Sequence, residues 1–166
     1  MIVIRNYQDQ DSKAVGILIA DTYREFNLLF TSPEEKSAFL GPFQYARSND
    51  LSHQEAIAAT IQAAMVFVAE KEGEIVGVLR GRKDKLQSLF VQGAFHRQGI
   101  GRQLVERFEQ ECAGQGARMI RVMSTLYAVP FYQAMGYKKT TGVRKMRSFE
   151  AEGLAYQPMK KGLKDG

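Results

Sequence analysis

Between Val91 and Leu104 the chain reads VQGAFHRQGIGRQL, and this stretch holds the residues best suited to grip an anion. An apolar run, Leu86 to Val91, ends there. A short loop carries His96, Arg97 and Gln98, and Gly99-Ile100-Gly101-Arg102 opens a helical pattern. Glycines let the backbone bend until several N–H groups converge, and the positive end of the helix dipole points at the same place. A pyrophosphate fits that arrangement. It is not a dinucleotide fingerprint, because Leu104 stands where the third glycine is needed and a long loop intervenes after the strand. Nor does a Gly-Lys-Ser/Thr phosphate loop occur.

The elements that must hold this loop follow from hydrophobic spacing. Ile2 to Arg5 reads as a strand. A helix from Asp9 places Val15, Leu18, Ile19, Thr22 and Phe26 on one face, with Asp11 or Ser12 at its cap. Residues 30–50 are punctuated by Pro33, Gly41 and Pro42 and are rich in aromatics (Phe30, Phe39, Phe43, Tyr45). Ser52 to Ala64 is helical, with Ser52 as cap and Glu55 three residues on. Met65 to Glu70 and Ile75 to Arg80 are strands joined by a charged, glycine-bearing turn, hence an antiparallel hairpin. Ile100, Leu104, Val105, Phe108 and Cys112 form the clearest apolar stripe, closed by Gly114 and Gly116. Met119 to Met123 is a strand, and Pro130 sits in the first turn of a helix from near Tyr127 to Gly136. Tyr137 to Met146 and Leu154 to Met159 form a closing strand pair. The order predicts an α/β fold, a mixed and mostly antiparallel sheet with helices on both faces. The crossover from Val91 to Met119 makes its two strands parallel. Without repeats or a linker, residues 1–166 read as one domain.

Composition narrows the function. Lys and Arg number 23 against 18 Asp and Glu, and residues 138–166 alone hold eight basic against three acidic residues, the whole excess. No nucleic-acid motif accompanies those lysines, so they read as a solvated, edge-protecting segment. A single cysteine forms no internal disulfide. The N-terminus lacks an apolar signal core and the longest apolar run, Ala63 to Ala69, is too short to span a bilayer, so the expectation is a soluble, cytoplasmic protein without a membrane partner. Two histidines and one cysteine far apart do not make a zinc site, and no metal is expected.

The loop at His96–Gly101, after the strand Leu89-Phe90-Val91, resembles the acetyl-CoA pyrophosphate loop of the GNAT N-acetyltransferase superfamily, whose usual pattern is Gln/Arg-x-x-Gly-x-Gly/Ala. Downstream, Ala128-Val129-Pro130-Phe131-Tyr132-Gln133-Ala134-Met135-Gly136-Tyr137 is similar to that family's second signature, and Ala155-Tyr156-Gln157-Pro158-Met159 to its last strand. The resemblance covers residues 65–160 and is only topological before them. It implies an acetyl group carried by acetyl-CoA to a primary amine by direct attack. It assigns the pyrophosphate to the backbone of His96, Arg97, Gln98, Gly99, Ile100, Gly101 and Arg102. The backbone of Phe90 and Val91 goes to the pantetheine arm, and Tyr132 supplies a proton to the departing thiolate. His96 departs from the usual Gln or Arg, but its N–H is expected still to face a phosphate. Thr125, beside Ser124, stands where many members carry Asn, and its hydroxyl still offers one donor and one acceptor. Tyr127, five residues before Tyr132, is the competing phenol.

An attacking amine must lose a proton, and the strand Lys85 to Val91 contains no acid. Asp84 lies just outside it, and Asp21, Glu25, Glu34, Glu35 and His53 are the other candidates, so no single dedicated base is expected. Cys112 lies on the apolar stripe and is packing rather than a nucleophile. The acceptor falls to residues 22–50, whose aromatics favour a small-molecule amine over a protein tail; they serve equally well as a satellite core or a homodimer contact. The alternative reading is a non-catalytic CoA-binding or sensor protein on the same fold.

Overall fold

The structure, a computed structural model, describes residues 1–28 and 31–164. Strand β1 (Ile2–Asn6) leads through a 3₁₀ turn into helix α1 (Ser12–Thr22). Asp11 sits at the helix start, yet its carboxylate serves Arg5 (2.8 Å) and the Gln8 N–H (2.8 Å) instead of capping α1. Thr22 Oγ1 donates back to Leu18 O at 2.6 Å, and this back-bonding loosens a helix. The chain there widens into a π-helical turn, Tyr23–Asn27. Phe26 therefore leaves the expected stripe, while Val15, Leu18, Ile19 and Thr22 stay buried.

Helix α2 (Pro33–Leu40) has Ser32 as a cap accepting from Glu35 N, and Pro33 in its first turn. Phe30, one of the aromatics expected in this region, lies outside the described residues. Helix α3 (Leu51–Ile61) is capped by Asp50, whose Oδ1 accepts from Ser52 N at 2.8 Å, and not by Ser52, which lies inside the first turn and whose N–H is itself one of the orphan donors. Three helices thus precede the hairpin where two were expected.

Strands β2 (Met65–Lys71) and β3 (Glu74–Arg82) form the expected hairpin through Glu72 and Gly73, with φ of 52° and 81°, the both-positive signature of a type I′ turn. Then come β4 (Lys85–Val91), helix α4 (Ile100–Gly114), β5 (Met119–Thr125), a 3₁₀ turn, the short α5 (Val129–Ala134), β6 (Lys138–Lys139), β7 (Arg144–Ser148) and β8 (Ala151–Gly162). The sheet order is β1-β2-β3-β4-β5-β8-β6, with β7 also on β8, and β4–β5 is its parallel pair. The strand expected over Tyr137 to Met146 is two pieces. Pro158 of β8 has no N–H to offer, so the outer ladder breaks beside it, and Gln157 Nε2 donates to Thr141 O (2.6 Å) across the gap.

Each sheet face has its own core. The α4 stripe packs with Phe67, Ala69, Leu79, Tyr132 and Met135 on one side. Val15, Leu18, Ile19, Ile57 and Ile61 pack with Val68 and Val78 on the other. Each such fully buried side chain contributes roughly 1.5–3 kcal/mol.

Candidate active site

The site begins where two parallel strands stop pairing. β4 and β5 are in register only at Lys85–Arg121 and Leu86–Val122. Just beyond, the β3–β4 register skips Gln87, so β4 carries a bulge there. A bulge bends its strand and raises the local twist, and from Gln87 onward β4 swings away from β5. The parted strands leave a cleft of about 710 Å³, lined by Ser88 to Val91 on one wall and Val122 to Thr125 on the other.

Parting leaves backbone groups unpaired. Gln92 N–H donates to Val76 O at 2.9 Å, and hydrogen-bonded pairs alternate along an antiparallel ladder. Phe90 is therefore engaged with Val78, and the groups of Leu89 and Val91 face the cleft. The expectation that Phe90 offers its backbone is corrected: its ring lines the cleft, and the backbone groups turned to the cleft are those of Leu89 and Val91, with the Val91 carbonyl already bonded to His96 Nε2.

At the cleft's end, Gly93–Phe95 make a 3₁₀ turn, Arg97 adopts φ 65°, and Gly99, φ 81°, starts α4. No side chain caps that helix and no acid stands in its first turn. Gln103 N is bonded back to Gly99 O, so the N–H groups of Gly99, Ile100, Gly101 and Arg102 have no intrahelical acceptor. A Cβ on Gly101 would stand 3.1 Å from the Phe131 ring, so any side chain there must push α5 back by a few tenths of an ångström. The uncapped donors, the dipole of a 15-residue helix and the exposed Arg97 and Arg102 suit a pyrophosphate.

His96 does otherwise than expected. Its backbone N–H donates to Gly93 O (3.2 Å) and is not free for a phosphate. Its Nε2 lies 2.6 Å from Val91 O, and a carbonyl only accepts, so Nε2 carries the proton. Gln98 turns from the cleft, holding Ala94 O and accepting from Lys71. Thr125 lines the cleft, and its carbonyl accepts from the buried Ser124 Oγ at 2.7 Å.

Tyr132 has its ring in the core, against Phe131 and Tyr137. Its hydroxyl makes no hydrogen bond among the described residues and borders the cleft. Burial raises its pKa well above that of a free phenol. Tyr137, by contrast, donates to Glu109 at 3.0 Å. Tyr127 is 55% exposed and lies against Phe26.

The family model of the acetyltransferase (GNAT) domain matches residues 40–163. The chain belongs to the GNAT acetyltransferase family. GNAT members use acetyl-CoA. Solved GNAT structures share the whole architecture. A GCN5-related N-acetyltransferase from Rhodopseudomonas palustris matches at TM-score 0.80 and 20% identity over 97% of this chain and 95% of that one. The PaiA N-acetyltransferase from Thermoplasma acidophilum, solved in complex with coenzyme A, matches at 0.71 and 15% over 98% and 99%. An N-acetyltransferase from Staphylococcus aureus Mu50 matches at 0.65 and 17% over 99% of each. At these identities the likeness is one of fold.

None of the candidate bases lines the cleft of this GNAT domain. Asp21 is held by Arg47 through two bonds of 2.7 and 2.8 Å, which depress its pKa. His53 stacks on Tyr45 and bonds Ser48 Oγ at 2.7 Å. Glu34 and Glu35 are exposed in the first turn of α2, and Asp84 is exposed at the far end of β4. Glu25 reaches only the neighbourhood of Gly93. Tyr23 and Phe26, which close the cleft's other mouth, fall within residues 22–50 as expected for the acceptor side, while Met146 and Leu154 beside them were not singled out by the sequence. A π-turn and a pairing across the β7–β8 hairpin bring them there, and neither has a motif. Among the described residues no cluster of His, Cys, Asp or Glu could hold a metal, and no helix is long and apolar enough to cross a membrane.

Proposed function

We propose that this chain moves an acetyl group from acetyl-CoA to the primary amine of a small-molecule acceptor by direct attack. The observation that carries this reading is Tyr132, a phenol packed in the core whose hydroxyl has no protein partner and borders the cleft. Its neighbour Tyr137 spends its O–H on Glu109, whereas the Tyr132 O–H is left to the cleft. Acetyl-CoA, when bound, supplies the thioester. The N–H groups of Gly99 to Arg102 grip its pyrophosphate, and the backbone groups of Leu89 and the N–H of Val91 orient the arm between the parted strands. As the amine nitrogen bonds the carbonyl carbon and the C–S bond breaks, Tyr132 Oη holds its proton against the departing thiolate. The amine's own proton leaves through solvent. Direct attack is favoured because the one cysteine is no nucleophile: burial pushes the Cys112 thiol up to about 12. A cleft of about 710 Å³ is of small-molecule size.

The test is Tyr132→Phe, which removes one oxygen. Turnover is expected to fall roughly 10²-fold, with the thermal shift produced by acetyl-CoA unchanged. A variant as active as the parent would leave Tyr132 a core aromatic. A parent protein that shows no thermal shift with millimolar acetyl-CoA would overturn the reading altogether.

A further inference from the structure

The cleft passes through the sheet and its two mouths differ in chemistry. On the α4 face lie the anion-gripping loop, Tyr132 and the backbone groups of the parted strand. The other mouth opens between the end of α1 and β7, and its walls are Tyr23, Phe26, Phe90, Met146 and Leu154. Tyr23 and Phe90 rings lie 5.9 Å apart, and Met146 faces Leu154 across the hairpin register. Among the described residues no carboxylate lines any part of the cleft, and its charged side chains are Arg97 and Arg102. Arg80, desolvated and 3.4 Å from Ser88 Oγ, adds a third cation behind the wall.

Tyr23 lines this wall, and its hydroxyl is partly committed. Ser148 Oγ donates to Phe39 O at 2.9 Å, so at its 3.0 Å contact with Tyr23 the tyrosine is the donor. With its proton spent on Ser148, Tyr23 Oη keeps only acceptor capacity. An amine N–H is what an acceptor of that kind orients.

Resting on the acetyl-transfer reading above, we infer that the acceptor is a monoamine on an apolar or aromatic body, with its nitrogen on Tyr23 Oη. Apolar walls favour the neutral, nucleophilic amine over the ammonium. A second ammonium, as on a polyamine, or the polar backbone of a lysine peptide would be desolvated against these apolar walls with no carboxylate among the lining residues to pair it.

The experiment measures thiol release by the full chain at saturating acetyl-CoA with 2-phenylethylamine, hexylamine, spermidine and a lysine-containing peptide. Each amine is also titrated calorimetrically into the protein with CoA. The two monoamines are expected to exceed spermidine and the peptide by about 10²-fold in kcat/KM, the scale on which a site rejects groups it cannot pair, with the same order in Kd. Met146→Glu places a carboxylate on the acceptor wall and should narrow that ratio at least about tenfold, whereas Met146→Gln keeps the parent's order. Should Met146→Glu fail to fold, Tyr23→Phe carries the test: KM for 2-phenylethylamine rises several-fold with kcat nearly constant. Spermidine or the peptide as best substrate, an unmoved ratio in Met146→Glu, or an unmoved KM in Tyr23→Phe overturns the inference and leaves acetyl transfer standing. Acetyl-CoA binding without turnover or binding of any amine overturns both.

Discussion

The two mouths of the cleft are built on different principles. On the α4 side the groups proposed to hold the cofactor are backbone N–H and C=O, supplied by one continuous stretch, Leu89 to Arg102. On the α1–β7 side they are side chains, drawn from Tyr23, Phe26, Met146 and Leu154, more than a hundred residues apart in sequence. A backbone site tolerates side-chain change as long as the path of the chain is kept. A side-chain site can be rewritten residue by residue. One fold can therefore hold a constant donor and variable acceptors.

The largest effect that would break this contrast comes from Gly101→Asp. A β-carbon there meets the Phe131 ring, and a carboxylate faces the anion at the helix start. Two like charges about 4 Å apart near a protein surface repel by about 4 kcal/mol, which is on the order of 10³-fold in affinity. Acetyl-CoA is expected to lose its thermal shift at concentrations that saturate the parent. An undiminished shift would mean that the helix start is not where the cofactor is held.

Next in size is the pH profile of the two phenols. Burial raises the pKa of Tyr132, so its proton stays on through the alkaline range. The free amine, with a pKa near about 10, loses its proton as pH rises. Hence kcat/KM for the parent should climb with pH and show no alkaline fall below about pH 10. Tyr127→Phe should stay within about twofold of the parent throughout, because an exposed ring off the sulfur's path supplies no proton. A falling limb that disappears only in Tyr132→Phe would show that its phenol is not held in the acid form.

How much of this was legible follows the same division. The strand, the loop and the α4 stripe were readable because local spacing decides them: Gly99 is at positive φ where the motif places glycine, and all five stripe residues are buried. The parallel pairing of β4 and β5 followed from the crossover between them. The bulge at Gln87 was invisible, since a register skip depends on the partner strand, and with it went the assignment of backbone groups to Phe90 instead of Leu89. His96 was misplaced for a related reason: the 3₁₀ turn at Gly93 takes its N–H. Of the proposed acceptor wall, Tyr23 and Phe26 lie inside the 22–50 region read for it, whereas Met146 and Leu154 could not be read because a hairpin register, not a motif, brings them there.

The missing base gives a smaller effect. Asp21→Asn, Glu25→Gln, Asp84→Asn and His53→Gln should each lower kcat/KM by less than about tenfold, with the loss shrinking as pH rises toward about 10, because bulk solvent then deprotonates an increasing share of the amine. A drop above about 10³-fold in one of them, persisting at high pH with the fold intact, would identify a dedicated base.

The smallest effect sharpens the contrast most, because two consequences of one substitution run in opposite directions. Arg97 holds φ 65°, a left-handed conformation that costs a residue with a β-carbon about 1–2 kcal/mol. Arg97→Gly relieves that strain, but glycine also loosens the unfolded chain by about 0.4–1 kcal/mol. The net expectation is a gain of about 0.5 kcal/mol, or one to two degrees in melting temperature for a chain of this length. Removing an exposed cation near the pyrophosphate, worth at most about 1 kcal/mol in water, should weaken acetyl-CoA about threefold to fivefold. If the N–H groups of Gly99 to Arg102 carry the grip, the variant is slightly more stable and nearly as good a binder. If affinity instead falls a hundredfold, the guanidinium and not the backbone holds the cofactor. The donor half would then be a side-chain site like its counterpart across the sheet.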